Sequence, residues 1–394
     1  MSGYVLNVDP SLESALVSGH PWIYRNHLPK HNLEGGEWVV VRSGGTQAYG
    51  LYDASSPIAV RLFFHEPVGM VGRTPQSEVT HRLVQALELR ANRFDAQTNA
   101  YRLVFGEGDF LPGLTIDRYE RFAVVQTYAD ALQTILPDVI RTLTKEQGKL
   151  TFYPQRCKGV LTRDENGLQA LWGELPPPEL TISENGLRMI ANLYDGQKTG
   201  LFLDHRDNRS LIERFSRGKR VLNLFSYTGA FSLYAARGGA QSVTSVDIAE
   251  AAILDAQRNF KLNGFDLDNH EFIVQDCFSL LEEYARQGRR FDLVIVDPPS
   301  LARSKQSRYA AARAYARLNR LALKCVEPGG LLATASCTSQ IFPEHFKEIL
   351  SQAATETSKR VQILQENGQA IDHPVPVSFP EGRYLKFILA RVLT

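Results

Sequence analysis

The sequence predicts an α/β protein: a doubly wound parallel sheet in the second half, preceded by a small β-rich segment and a middle α/β segment. Three observations carry this. From residue 186 onward, short apolar runs alternate with helical patterns, as in parallel strands joined by crossover helices. The run from Phe291 to Val296 is apolar almost throughout, as a strand buried on both faces requires, and it stops at Asp297-Pro298-Pro299, where prolines cannot donate to a ladder. Two further strands end in carboxylates, Asp247 and Asp276, at the edge where open α/β sheets bind ligands.

Taken in order, residues 1–72 form the β-rich segment. Glu37–Val41 and Ile58–Phe64 have strand composition, and Gly35-Gly36 and Gly44-Gly45 supply the turns. Trp22 beside Arg25 is suited either to stacking on bases or to anchoring a small core. Residues 73–185 form the middle segment. Val79, Leu83, Ala86, Leu87 and Arg90 keep a helical period after Pro75. Strands follow within Tyr101–Gln126, a helix over 130–147, and a stiff stop at Pro176-Pro177-Pro178. In residues 186–394 the expected strands are Arg220–Phe225, Ser242–Val246, Phe272–Val274, Phe291–Val296 and Gly330–Ser336. Helices are expected at 230–237 and 249–262, and the tail segments 361–366 and 384–393 suit an antiparallel pair.

Composition excludes several classes. With 394 residues, 43% hydrophobic and 22% charged, the chain has the profile of a soluble multidomain protein. No stretch approaches the ~18 apolar residues of a membrane span, and no signal peptide is visible. Four scattered cysteines, Cys157, Cys277, Cys325 and Cys337, form no CxxC pair, which disfavours zinc or a disulfide framework and fits a reducing cytoplasm. A net charge of +1 means that any nucleic-acid binding must come from a local patch.

The first strand, its turn Ser226-Tyr227-Thr228-Gly229 and the acid ending the second strand make a nucleoside-binding arrangement. Asp247, 22 residues after Phe225, suits ribose hydroxyls, and Asp276 suits an adenine amino group. The turn carries one glycine, Gly229, and lacks GxGxxG. Dinucleotides are therefore disfavoured and an adenosyl ligand without phosphates is favoured. Asp247 also precedes a helix, so an N-cap role is an alternative that does not exclude the first.

These residues resemble the class I S-adenosylmethionine-dependent methyltransferases: Asn223 to Gly229, Asp247, Asp276 and Asp297-Pro298-Pro299. More narrowly, the chain is similar to the bacterial 23S ribosomal RNA cytosine-5 methyltransferases that carry an N-terminal PUA domain. Further matching pieces are Gly19-His20-Pro21-Trp22, Gly113 to Arg118, Gly196 to Gly200, Leu203 to Asp207, Ser336-Cys337, Asp372-His373-Pro374 and Pro380-Glu381-Gly382. The resemblance implies a PUA-like domain at 1–72, a middle α/β domain at 73–185 and a Rossmann-like methyltransferase domain at 186–394. It implies S-adenosyl-L-methionine as cofactor, met by Phe225, Tyr227, Gly229, Asp247, Asp276, Asp204 and Arg206. The implied partner is 23S ribosomal RNA, the implied location cytoplasmic, and a homodimer stays open.

Carbon 5 of cytosine is a poor nucleophile until a thiolate adds to carbon 6. That chemistry needs a cysteine and a carboxyl at the N3/N4 edge. Cys337 and Asp297 end strands that are neighbours in the implied order, ~4.8 Å apart. Cys325 is expected within a helix, Cys157 lies in the middle segment, and Cys277 lies beside Asp276. From Pro298 to Val326 there is no acidic residue, while Arg303, Lys305, Arg308, Arg313, Arg317, Arg320 and Lys324 are basic. The last four share one helical face, which suits phosphates. Two other readings remain: a nitrogen methyltransferase, for which an aromatic would be expected at Ser300, and a non-catalytic RNA-binding assembly factor.

Overall fold

A computed structural model describes residues 4–65, 74–91, 93–145, 156–301 and 308–394. Its contacts divide into two compact units: Met1–Asn185 with Ala191–Leu203 and Ile371–Gly382, and Gly186–Ile190 with Asp204–Ala370 and Arg383–Thr394.

In the first unit a five-stranded sheet has the order β1 (Tyr4–Asn7), β3 (Trp38–Ser43), β4 (Thr46–Tyr52), β5 (Ile58–His65), β2 (Trp22–Tyr24). Alternating residues such as Val39, Val41, Val60 and Leu62 face a core with Leu6, Leu16 and Ile23. A second sheet orders β10 (Gly167–Gly173), β9 (Gly159–Asp164), β8 (Phe122–Thr127), β7 (Leu114–Tyr119), β6 (Ala100–Phe105). It packs with α2 (Pro75–Ala91) and α3 (Leu136–Thr144); α1 is Glu13–Val17. Of the helix expected over 130–147, residues 146–147 lie outside the described residues, and the rest is a 3₁₀ turn at Asp130–Ile135 followed by α3, which starts where Pro137 needs no hydrogen-bonded N–H. Leu51, Phe63 and Phe64 of the first sheet share one core with Val79, Leu83, Leu103 and Ile116, so the β-rich and middle segments pack as one body. Trp22 is half-buried: its Nε1 donates to Glu107 at 2.8 Å and its ring meets Phe379 edge-on at 4.7 Å, which is the anchoring role. Arg90 and Asp109, both buried, form a bidentate pair at 2.6 and 2.8 Å. The strand β11 (Leu180–Glu184) also belongs to the first unit, whereas β12 (Leu187–Ala191) belongs to the second up to Ile190.

The second unit is a seven-stranded sheet. Its order is β15 (His270–Val274), β14 (Ser242–Asp247), β13 (Arg220–Leu224), β16 (Phe291–Val296), β17 (Val326–Ser336), β19 (Lys386–Leu393), β18 (Arg360–Asn367). The first five are parallel neighbours and the last two pair antiparallel, as the tail pattern predicts. The helices are α4 (Arg206–Phe215), α5 (Ala230–Arg237), α6 (Glu250–Leu262), α7 (Cys277–Gln287), α8 (Arg308–Lys324) and α9 (Pro343–Glu356). Buried clusters on both faces explain the continuous apolar runs: Leu222, Val294, Val296 and Leu332 on one, Val221, Leu293, Ile295 and Ala333 on the other. The connections after β13 and β16 leave that strand pair in opposite directions along the sheet order. Their carboxyl ends therefore form the switch point where ligands bind in such sheets.

Candidate active site

Two groups of side chains gather at the carboxyl ends of the parallel strands. The first is the turn after β13. Phe225 and Tyr227 adopt φ of 57° and 46°, and Gly229 adopts 79°. Side chains rarely accept this left-handed backbone, so the turn is held by specific bonds. Tyr227 N donates to Asp247 Oδ2 at 2.9 Å, Phe225 N donates to Cys277 Sγ at 3.3 Å, and Asn259 Nδ2 donates to Thr228 O at 2.9 Å. A Cβ on Gly229 would lie 2.9 Å from Ala256 Cβ, so glycine is also what lets α5 and α6 approach. Asp247 Oδ1 accepts from Ala249 N at 3.0 Å, but Ala249 is the cap of α6. Asp247 thus braces the turn and is not the helix N-cap. Asp276 is the N-cap of α7, accepting from Ser279 N at 2.9 Å, and it is exposed at the end of β15.

The donor set fits an adenosyl ligand. Carboxylates at successive strand ends, a bent turn and no glycine-lined pyrophosphate cradle are what a nucleoside with an amino-acid tail requires.

The second group surrounds β16 and β17, which are parallel neighbours with Val296 opposite Thr334. Asp297 follows β16 directly, and Cys337 follows β17, about two residues or ~7 Å further along the strand direction. Cys337 is half-exposed and in no disulfide. The other three cysteines are pushed up by burial: Cys157 and Cys325 to about 11, Cys277 to about 12. Cys325 sits just beyond the last residue of α8 and not within it.

Around Asp297 and Cys337 lie residues that the sequence reading passed over. His205 Nε2 is 3.3 Å from Asp297 Oδ1. Tyr384 OH donates to Asp204 Oδ2 at 2.6 Å. Tyr315 OH lies 2.9 Å from Thr338 Oγ1, and burial pushes that phenol up to about 12. Lys386 is 4% exposed; its Nζ donates to Thr338 O at 2.6 Å and to Tyr384 O at 2.8 Å. Burial brings Lys386 down to about 8, and the neighbouring Cys337 opposes that fall. One signal was present: a single cation in the otherwise apolar run Leu385-Lys386-Phe387-Ile388-Leu389. Asp204 and Arg206 are both buried, and Arg206 opens α4.

Of the basic stripe, Arg303 and Lys305 lie outside the described residues. Arg313 is exposed on α8. Arg317 pairs with Glu282 at 2.6 Å and Arg320 with Glu356 at 3.1 Å. The expectation that no acid compensates this stripe is corrected: α7 and α9 supply acids across the helix packing. A groove of about 470 Å³ between α8 and α9 is lined by Arg313, Arg317, Arg320, His345 and Glu356.

No helix among the described residues is long and apolar enough to cross a membrane.

The chain is similar to known proteins along nearly its whole length. Residues 147–372 match a family model described as S-adenosylmethionine-dependent methyltransferase, and residues 6–64 match a PUA-like domain. Ribosomal RNA large subunit methyltransferase I of Pseudoalteromonas translucida is 35% identical over 96% of this chain and 97% of its own. The protein of that name from Klebsiella pneumoniae is 36% identical over 97% and 96%. Among solved structures, a putative SAM-dependent methyltransferase from Streptococcus mutans is 27% identical, with a TM-score of 0.84 over 98% of this chain and 100% of that one. A putative methyltransferase complexed with SAH superimposes with a TM-score of 0.85, also at 27% identity and with the same coverage. The chain belongs to the S-adenosylmethionine-dependent methyltransferase family, with an N-terminal PUA-like domain, a Rossmann-like catalytic fold, and relatives named ribosomal RNA large subunit methyltransferase I.

Proposed function

We propose that the protein methylates carbon 5 of a cytosine in 23S ribosomal RNA through a covalent Cys337 adduct. The observation that carries this reading is the place of Cys337, partly exposed at the carboxyl end of β17 next to the strand that Asp297 ends, while Cys277 and Cys325 are buried and Cys157 lies in the first unit. The turn at Phe225, Tyr227 and Gly229 would hold the cofactor with Asp247 on the ribose and Asp276 at the adenine. Asp204 and Arg206 would lie toward its amino-acid end. When bound, the cofactor supplies an electrophilic methyl group. The Cys337 thiolate adds to carbon 6, breaking the 5,6 double bond. The released electron pair lets carbon 5 take the methyl group, the methyl–sulfur bond breaking with its pair left on the sulfur as a neutral thioether. A base then removes the carbon 5 proton, the double bond re-forms and the thiolate leaves. Asp297, with His205 at 3.3 Å, would accept from the N4 amino group and, when protonated, donate its proton to N3 as negative charge builds there.

The RNA would lie along α8, with Arg313, Arg317 and Arg320 on phosphates; the sequence adds Arg303 and Lys305 to the same basic set. The PUA-like segment 1–72 adds RNA contacts, residues 73–185 support it, and residues 186–394 carry the chemistry. The name of the relatives supports the large-subunit RNA as substrate and hence a cytoplasmic enzyme. The test is incubation of unmodified 23S RNA with protein and cofactor, followed by nucleoside mass spectrometry. 5-Methylcytidine is expected. An N-methylated nucleoside would move the reading to nitrogen chemistry, and no methylated product would favour an assembly factor.

A further inference from the structure

Asp297 raises an electrostatic problem for its neighbour. A carboxylate near a thiol discourages the thiolate, yet the proposed nucleophile must be one. Described groups near Cys337 come from β16, α8 and β19. Asp297 stands at the end of β16, with His205 Nε2 3.3 Å from its Oδ1. Tyr315 reaches in from α8 and feels both Cys337 and Asp297. Lys386 comes from β19. Tyr315 carries no charge near neutrality, whereas Lys386 is, among the described residues, a cation whose charge is felt at Cys337.

Lys386 is placed there by the sheet. In the β17–β19 ladder it is the cross-strand partner of Ser336, one residue before Cys337. Its Nζ donates to the carbonyl of Thr338, one residue after Cys337, and to that of Tyr384. The nitrogen is thus tied to the backbone on the far side of Cys337 from its own cross-strand partner. A neutral amine spends its two N–H groups on these two carbonyls and keeps one lone pair. An ammonium has a third N–H. At 4% exposure water satisfies neither form well, so a charged Lys386 needs an anion close by.

We propose that Lys386 is the positioning residue that makes Cys337 a nucleophile. The proton leaves Sγ for the Nζ lone pair, giving a thiolate–ammonium pair anchored by Thr338 and Tyr384. No other reactant is consumed. The pair is also geometrically economical: the two carbonyls fix the ammonium while the sulfur keeps the half-exposed position from which it meets a base. Burial leaves Lys386 near 8, so at neutral pH most molecules already carry the ammonium, whose charge favours loss of the thiol proton to water, and the neutral amine of the remainder takes that proton itself. This assignment rests on the reading of Cys337 as the nucleophile, but it concerns the ionisation of the thiol and is measurable without RNA.

The experiment is alkylation of the full-length protein by iodoacetamide across pH, with modification at Cys337 quantified by peptide mass spectrometry. Lys386→Met removes the charge at similar volume. Its alkylation midpoint should rise by about one pH unit, and the rate at neutral pH should fall about tenfold. Lys386→Arg keeps a cation and should stay within about threefold of wild type. A Lys386→Met profile that superimposes on wild type overturns the assignment. If Lys386→Met does not fold, the reciprocal measurement decides. The Lys386 Nζ titration is followed by ¹⁵N NMR in wild type and in Cys337→Ser. Loss of the thiolate should lower the Lys386 midpoint, and an unchanged midpoint overturns the assignment. The two levels separate cleanly. A shifted thiol midpoint with full methylation by Cys337→Ser sinks the nucleophile reading alone. An unshifted midpoint with inactive Cys337→Ser sinks the lysine assignment alone.

Discussion

Replacing Gly229 by alanine should damage the cofactor turn by an amount that the geometry lets one estimate. The residue has φ of 79°, and its missing Cβ would sit 2.9 Å from Ala256 Cβ and 3.4 Å from Ala256 Cα. Left-handed backbone costs an alanine roughly 1–2 kcal/mol. Carbon atoms prefer ~3.5–4.0 Å, so the contact also forces α5 and α6 apart, at an overpacking cost of about 1–3 kcal/mol. The sum is about 2–5 kcal/mol. Part of it appears as lost stability. The rest appears as a displaced Tyr227 N–H, which would then meet Asp247 poorly. If ~1.4 kcal/mol falls on the turn, cofactor affinity drops about tenfold. Gly264→Ala is the control: its φ is 74° but nothing lies within 4 Å of its Cβ, so only the backbone cost remains. Thermal denaturation and calorimetric titration with the cofactor measure both. If Gly229→Ala matches Gly264→Ala in stability and wild type in affinity, helix approach is not what the glycine provides.

Asp247→Ala removes a carboxylate that accepts two backbone N–H bonds as well as a proposed ribose contact. Cofactor binding should weaken by at least about 1–3 kcal/mol, and unchanged calorimetric affinity would remove Asp247 from the site. Arg313→Glu breaks no ion pair among the described residues, whereas Arg317→Glu would set a second acid against Glu282. Arg313→Glu alone should therefore lower RNA affinity and reduce the salt slope by about 1 without touching cofactor affinity; an unaltered slope makes the stripe a plain solvated face. Lys386 adds a pH signature. Its folded value of about 8 is below the unfolded 10.5, so between these values the unfolded chain binds more protons and stability rises with pH. Relative to Lys386→Met, wild type should gain on the order of 3 kcal/mol over that window, read from denaturation at each pH; a constant difference would contradict the burial of the amine.

The second unit was legible because a doubly covered sheet leaves its mark locally. Val294 and Val296 face one layer of helices and Leu293 and Ile295 the other, so the run is apolar without alternation. The strand-ending acid Asp297 was legible for the same reason, being the first polar residue after a buried run, and Asp247 and Asp276 were legible as acids between a strand and the helix that follows it. The surroundings of the basic stripe were not. Glu282 and Glu356 lie 35 and 36 residues from their arginine partners, and only helix packing brings them together. Lys386 escaped because a single lysine in an apolar strand has no periodicity. Its role depends on a cross-strand partner 50 residues earlier in the chain. The shared core of Leu51, Phe63 and Phe64 with Leu83 and Leu103 was hidden as well, since each segment alone reads as a self-sufficient amphipathic set.

The most direct test of the central claim is a covalent trap. RNA carrying 5-fluorocytosine at the target position is incubated with protein and cofactor, and the product is run on a denaturing gel. Fluorine does not leave as a proton does, so the adduct cannot resolve. The account predicts a methylated, cross-linked species with wild type, with the RNA attached at Cys337 by peptide mapping, and none with Cys337→Ser. A protein that methylates the unmodified RNA yet forms no adduct with the fluorinated one, or a Cys337→Ser variant that still methylates at a comparable rate, would contradict it.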